Sequence, residues 1–104
     1  MVSPLDKTRL DSLAQSLGYK SASDFTRIQF SNVLNQKIAY RQAVVDRLTA
    51  KYGMTFDEFR QRVTNSSDSV LAQFGAIEKE DDDMEWELAI ELIQDYSTEL
   101  HLLA

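Results

Sequence analysis

The chain has 104 residues, 43% of them hydrophobic and 27% charged, with one proline, three glycines and no cysteine. This length supports a single core, the composition excludes wholesale disorder and fibrous repeats, and without cysteine there is no disulfide, thiolate zinc site or cysteine nucleophile. The net charge of −6 hides a division, since residues 1–64 carry ten Lys/Arg against six Asp/Glu and residues 65–104 one Lys against eleven Asp/Glu; either the halves face different partners or the acidic half folds back on the basic one.

The opening "MVSPLDKTRLDSLAQSL" lacks the apolar run of a signal peptide, and nothing approaches the roughly 20 apolar residues that cross a bilayer. The expectation is a cytoplasmic protein. Ser3 reads as an N-cap with Pro4 at the first helical position, and Leu5, Leu10, Leu13, Ala14 and Leu17 form one apolar stripe that stops at Gly18, which predicts a first helix near 4–17. Ser23 can cap a second helix over 24–52. Within it Leu34, Ile38, Arg41, Val45, Leu48 and Tyr52 recur at alternating spacings of four and three, the pattern of a packed seam or a dimer contact. Unbroken, it would span about 42 Å.

Gly53 ends that helix, and the Thr55/Glu58 spacing of a capping box starts a short third one over 56–63. "TNSSDS" is a run of turn formers, and "VLAQFGAI" is ambiguous between a helical turn and an extended segment, so residues 65–82 read as a linker. Helical period returns at Asp82 or Asp83. Residues 77–96, "IEKEDDDMEWELAIELIQDY", hold nine carboxylates, and those in the first turn of a helix over 83–102 would complement its dipole. Trp86, Ala89 or Ile90, Ile93, Tyr96, Leu100 and Leu103 line one side of that helix. This stripe has two readings: core of this fold, or the anchor of a partner contact in which carboxylates steer and aromatics hold.

The predicted class is therefore all-α, with about four helices, the long second helix packed on the acidic C-terminal one. It divides into a basic helical region 1–64, the linker 65–82 and an acidic amphipathic helix 83–104. Long helices with apolar stripes on more than one side predict a homodimer. Catalysis is not expected. His101 is the single histidine, so no two-histidine metal site or Ser/His/Asp set assembles within the chain. "EKEDDDMEWE" lacks the glycine of a calcium loop, and no phosphate-cradling glycine loop is present; no metal or cofactor is predicted.

Two resemblances add to this. The stretch around "LDSLAQSLGYKSASDFTRIQF", about residues 8–30, resembles the helical part of ribbon-helix-helix DNA-binding proteins, through the leucine stripe, the Gly18 stop, the serines before helix two and Phe25. The basic residues Lys7, Arg9, Lys20 and Arg27, on or around the first helix and turn, are the expected phosphate contacts, although "MVSPLDKT" cannot supply the strand on which that family's base readers sit. "KYGMTFDEFRQRV" followed by "EKEDDDMEWELAIELIQDY" resembles the C-terminal half of small bacterial and archaeal antitoxin-type proteins. It implies an interaction module, cytoplasmic and prokaryotic, whose acidic helix neutralises a basic partner such as a small ribonuclease toxin. The matching positions are Lys51 to Phe59 and Asp82 to Ala89, and the residues expected at the partner contact are the steering carboxylates Asp81, Asp82, Asp83, Glu85 and Glu87 with the anchoring aromatics Trp86 and Tyr96. The alternatives are a dimeric structural or scaffolding protein, in which the acidic run only solvates and caps, and a DNA-binding regulator held by the basic residues.

Overall fold

The computed structural model describes residues 6–103, and over that span the chain is all-helical. Four helices follow in order, α1 (Lys7–Ser16), α2 (Ala22–Tyr52), α3 (Phe56–Arg62) and α4 (Ala76–Leu103), with a single 3₁₀ turn at Leu71–Gln73 before the last. The long α2 packs along α4; α1 lies on α2 and α3 touches α4.

The helix ends differ from several expectations for local reasons. Ser3 and Pro4 lie outside the described residues; the cap of α1 is Asp6, whose carboxylate accepts the Arg9 N–H at 2.9 Å. α2 is capped by Ser21 and not by Ser23, because the Ser21 hydroxyl oxygen accepts the Asp24 N–H at 3.0 Å. The Asp11 carboxylate then accepts the Ala22 N–H at 2.9 Å, which ties α1 to the first turn of α2. With no glycine or proline between Gly18 and Gly53, α2 runs 31 residues, about 46 Å. It stops at Gly53, which takes the left-handed conformation (φ 68°) that a side chain would strain.

Thr55 caps α3 by accepting the Glu58 N–H at 3.2 Å. Only this half of the capping box forms, since the Glu58 carboxylate faces Arg62 at 3.9 Å instead. The segment after α3 is ordered around Asp68: its carboxylate takes a forked contact from the Arg62 guanidinium at 2.7 and 3.2 Å and also accepts the N–H groups of Val70 and Leu71. That builds the 3₁₀ turn from "VLAQ". The fourth helix begins at Ala76, seven residues before the predicted 83, because the Glu78 carboxylate reaches back to the Gly75 N–H at 3.2 Å and opens the helix there. The aspartate triplet consequently sits in the second turn and has no dipole-capping role; only Glu78 is in the first turn.

The main core sits at one end of the hairpin, and Ala14 of α1, the one other buried apolar residue among the described residues, lies apart from it. Val44, Leu48, Tyr52, Met54, Phe59, Leu71, Trp86 and Ala89 form one buried cluster, with the Tyr52 ring 4.8 Å from Phe59, 4.6 Å from Phe74 and stacked on Trp86 at 6.0 Å. Beyond Val44 and Ala89, toward the start of α2 and the end of α4, no side chain of the hairpin is buried.

Candidate interaction surface

α4 carries ten carboxylates between Glu78 and Glu99, and helical spacing sends them to different neighbours. Asp82 points into the seam, where one of its oxygens accepts both the Lys51 ammonium and the Tyr52 hydroxyl at 2.6 Å. Lys51 also reaches Glu78 at 2.7 Å. Burial pushes the Asp82 carboxyl up, but Lys51 and Tyr52 outweigh it and hold it below its ordinary value. Hydrogen bonds to Asp82 and Glu78 raise Lys51, and burial, with Asp82, raises Tyr52. The Lys51 contact also lowers Glu78.

The next carboxylates turn to either side. Asp83 and Glu87, one turn apart, share Arg60 of α3 at 3.0 and 2.6 Å. Glu85 meets Arg47 of α2 at 2.7 Å. Five of the ten α4 carboxylates are thus paired with cations of the basic half, and Glu80, Asp81, Glu91, Asp95 and Glu99 make no ion pair among the described residues. The basic and acidic halves seen in the sequence do fold onto each other at this end of the molecule.

Of the residues expected at a partner contact, Trp86 is 0% exposed and belongs to the core, packed by Phe56 and Phe59 at 5.3 Å. Its indole N–H has no acceptor among the described residues, which costs about 1–3 kcal/mol against a satisfied donor. Tyr96 is half-buried in the distal seam, and Asp81 is exposed. Asp82, Asp83, Glu85 and Glu87 are committed to the contacts above. Lys7, Arg9 and Lys20 are exposed, and Arg27 is exposed but held by Asp24 at 2.6 Å. Among the described residues no group of three His, Asp or Glu is arranged to hold a metal ion, because consecutive acidic residues on a helix diverge by about 100°.

The ion pairs also fix the register of the hairpin. Lys51 is level with Asp82 and Arg47 with Glu85, so each step back along α2 matches a step forward along α4. Lys37 is then level with Asp95 and Phe30 with Leu102. Arg47 and Glu85 mark one flank of the hairpin, while α3, held by Arg60, closes the other near the core.

On the Arg47/Glu85 flank the sequence is apolar and open. Stepping back from Arg47 at helical spacing, α2 presents Tyr40, Lys37, Val33 and Phe30, with Tyr40, Val33 and Phe30 at 63%, 49% and 58% exposure. Stepping forward from Glu85, α4 presents Leu88, Leu92, Asp95, Glu99 and Leu102, with Leu88 and Leu102 at 45% and 72%. Both strips keep the alternating three-and-four spacing of a helix seam. No protein-family model, curated protein or solved structure matches the chain.

Proposed function

We propose that this chain is a non-catalytic helical interaction module whose contact surface is the open flank of the α2–α4 hairpin. The observation that carries the reading is the missing core of the distal hairpin. Two helices face each other there with no buried side chain, and apolar residues lie exposed along both. Large exposed apolar strips are the usual mark of a protein contact. The paired substitution Phe30→Ser with Tyr40→Ser tests it. Both side chains are exposed, so the helical circular dichroism should persist while association is lost; association that survives the change rejects the reading.

A second reading, neutralisation of a basic protein such as a small ribonuclease by an antitoxin-like acidic helix, is supported by the α4 carboxylates that make no ion pair among the described residues. It rests on Glu80, Asp81, Glu91, Asp95 and Glu99 rather than on the buried or bridged members of the run. Reversing Glu80 and Asp81 to lysine should then abolish binding to such a protein in a pull-down and leave the unfolding midpoint nearly unchanged. Asp82 and Asp83 are unsuitable for this test, since their reversal breaks the Lys51, Tyr52 and Arg60 contacts. Among the described residues no helix is long and apolar enough to cross a membrane.

A further inference from the structure

We infer that the open flank is covered by a second copy of this chain, the two hairpins packing about a two-fold axis parallel to their long direction to form an antiparallel four-helix bundle. The inference rests on the reading of this flank as the contact surface and names its occupant.

Area gives the first argument. A compact monomer of this mass exposes about 5,900 Å², whereas this chain exposes 7477 Å². The excess, roughly 1,500 Å², is more than the about 800 Å² that each partner of a standard interface buries.

Self-complementarity gives the second. A two-fold axis along the hairpin lays α2 of one protomer on α4 of the other and preserves levels. Phe30 then meets Leu102 of the second copy, Tyr40 meets Leu92, and Lys37 meets Asp95, with Val33 level with Glu99. The one cation of the α2 strip thus faces Asp95 of the α4 strip, with Glu99 one turn away and the apolar pairs Phe30/Leu102 and Tyr40/Leu92 on either side. A two-fold axis across the hairpin, centred on the same patch, would instead stack α4 on α4 and oppose Asp95 with Glu99 of the second copy, which like-charge repulsion disfavours. The patch therefore selects one axis. Every helix of the resulting bundle runs antiparallel to both neighbours, the arrangement in which seams with this spacing interlock.

Sedimentation equilibrium of the whole chain at micromolar concentration should give twice 11.9 kDa. Lys37→Glu, which sets three carboxylates against one another in each half of the interface, should weaken association by about tenfold or more, and adding Asp95→Lys to it should restore much of the loss. Lys37 and Asp95 are exposed, so circular dichroism should be unchanged in both variants. A wild-type monomer overturns the inference, as does a dimer indifferent to Lys37→Glu. A monomer that nevertheless captures another protein, and loses it on Phe30→Ser with Tyr40→Ser, overturns the second copy while leaving the flank as the contact surface.

Discussion

Asp81, Asp82 and Asp83 are neighbours with three different physical situations. Asp81 is exposed, Asp82 is 8% exposed and accepts from Lys51 and Tyr52, and Asp83 lies against Arg60. Asp82→Ala should lower the unfolding free energy by about 1.5–3 kcal/mol, because it strips a charged acceptor from two part-buried or buried donors, whereas Asp81→Ala should change it by less than about 0.5 kcal/mol. Urea unfolding of the two variants measures the contrast. The same contacts set the acid limit. Asp82 and Glu78 are held below their ordinary values, and the Arg62 guanidinium, with the Leu71 N–H, holds Asp68 at about 2. A carboxylate lowered on folding stabilises the fold fully above its unfolded value and loses that contribution as pH falls through the folded one. Thermal midpoints should therefore be flat above about pH 5 and decline steadily from pH 4 toward pH 2. A midpoint unchanged at pH 2.5 would contradict these assignments.

At the scale of elements, what stops and starts a helix here is a single side chain or its absence. Gly53 is the sharpest case, since a Cβ there meets no neighbouring atom within 4 Å and the strain of φ 68° is the whole penalty. Gly53→Ala should cost about 1–2 kcal/mol from backbone strain alone, readable as a lowered denaturant midpoint with an unchanged slope. Thr55→Ala, which leaves the Glu58 N–H without its cap, should cost about 1 kcal/mol by the same measurement. The stops at Gly18 and Gly53 and the Thr55 cap were legible in the sequence, because each acts within one turn. The start of α4 was not. Gly75 and the turn formers before it argue for a loop, and the reach of Glu78 back to Gly75 emerges only once Leu71 is anchored in the core and Asp68 has organised the preceding turn.

The whole molecule is elongated, 70 × 25 × 19 Å with a radius of gyration of 21.4 Å, against about 13 Å for a compact domain of this length. Stability is distributed accordingly. The aromatic cluster around Trp86 and the Lys51–Asp82 contact hold one end, and the distal part of the hairpin has no buried side chain of its own. Amide exchange should be slowest over residues 44–52 and 82–89 and faster toward Phe30 and Leu102, most of all in the Lys37→Glu variant, in which the proposed cover is weakened. Uniform protection along the hairpin of that variant would show that two bare helices suffice.

The sequence by itself determined the helical class, the long second helix, its pairing with an acidic C-terminal helix and the division of charge. These follow from periodicity, from the scarcity of glycine and proline and from simple counts, all of which are properties of residues near one another in the chain. Only the tertiary structure decided which carboxylates serve the fold, that Trp86 is core, and which flank of the hairpin stays open. Those depend on the register between α2 and α4 and on the side to which Arg60 draws α3, relations between residues 23 to 38 positions apart in the chain that no local pattern encodes.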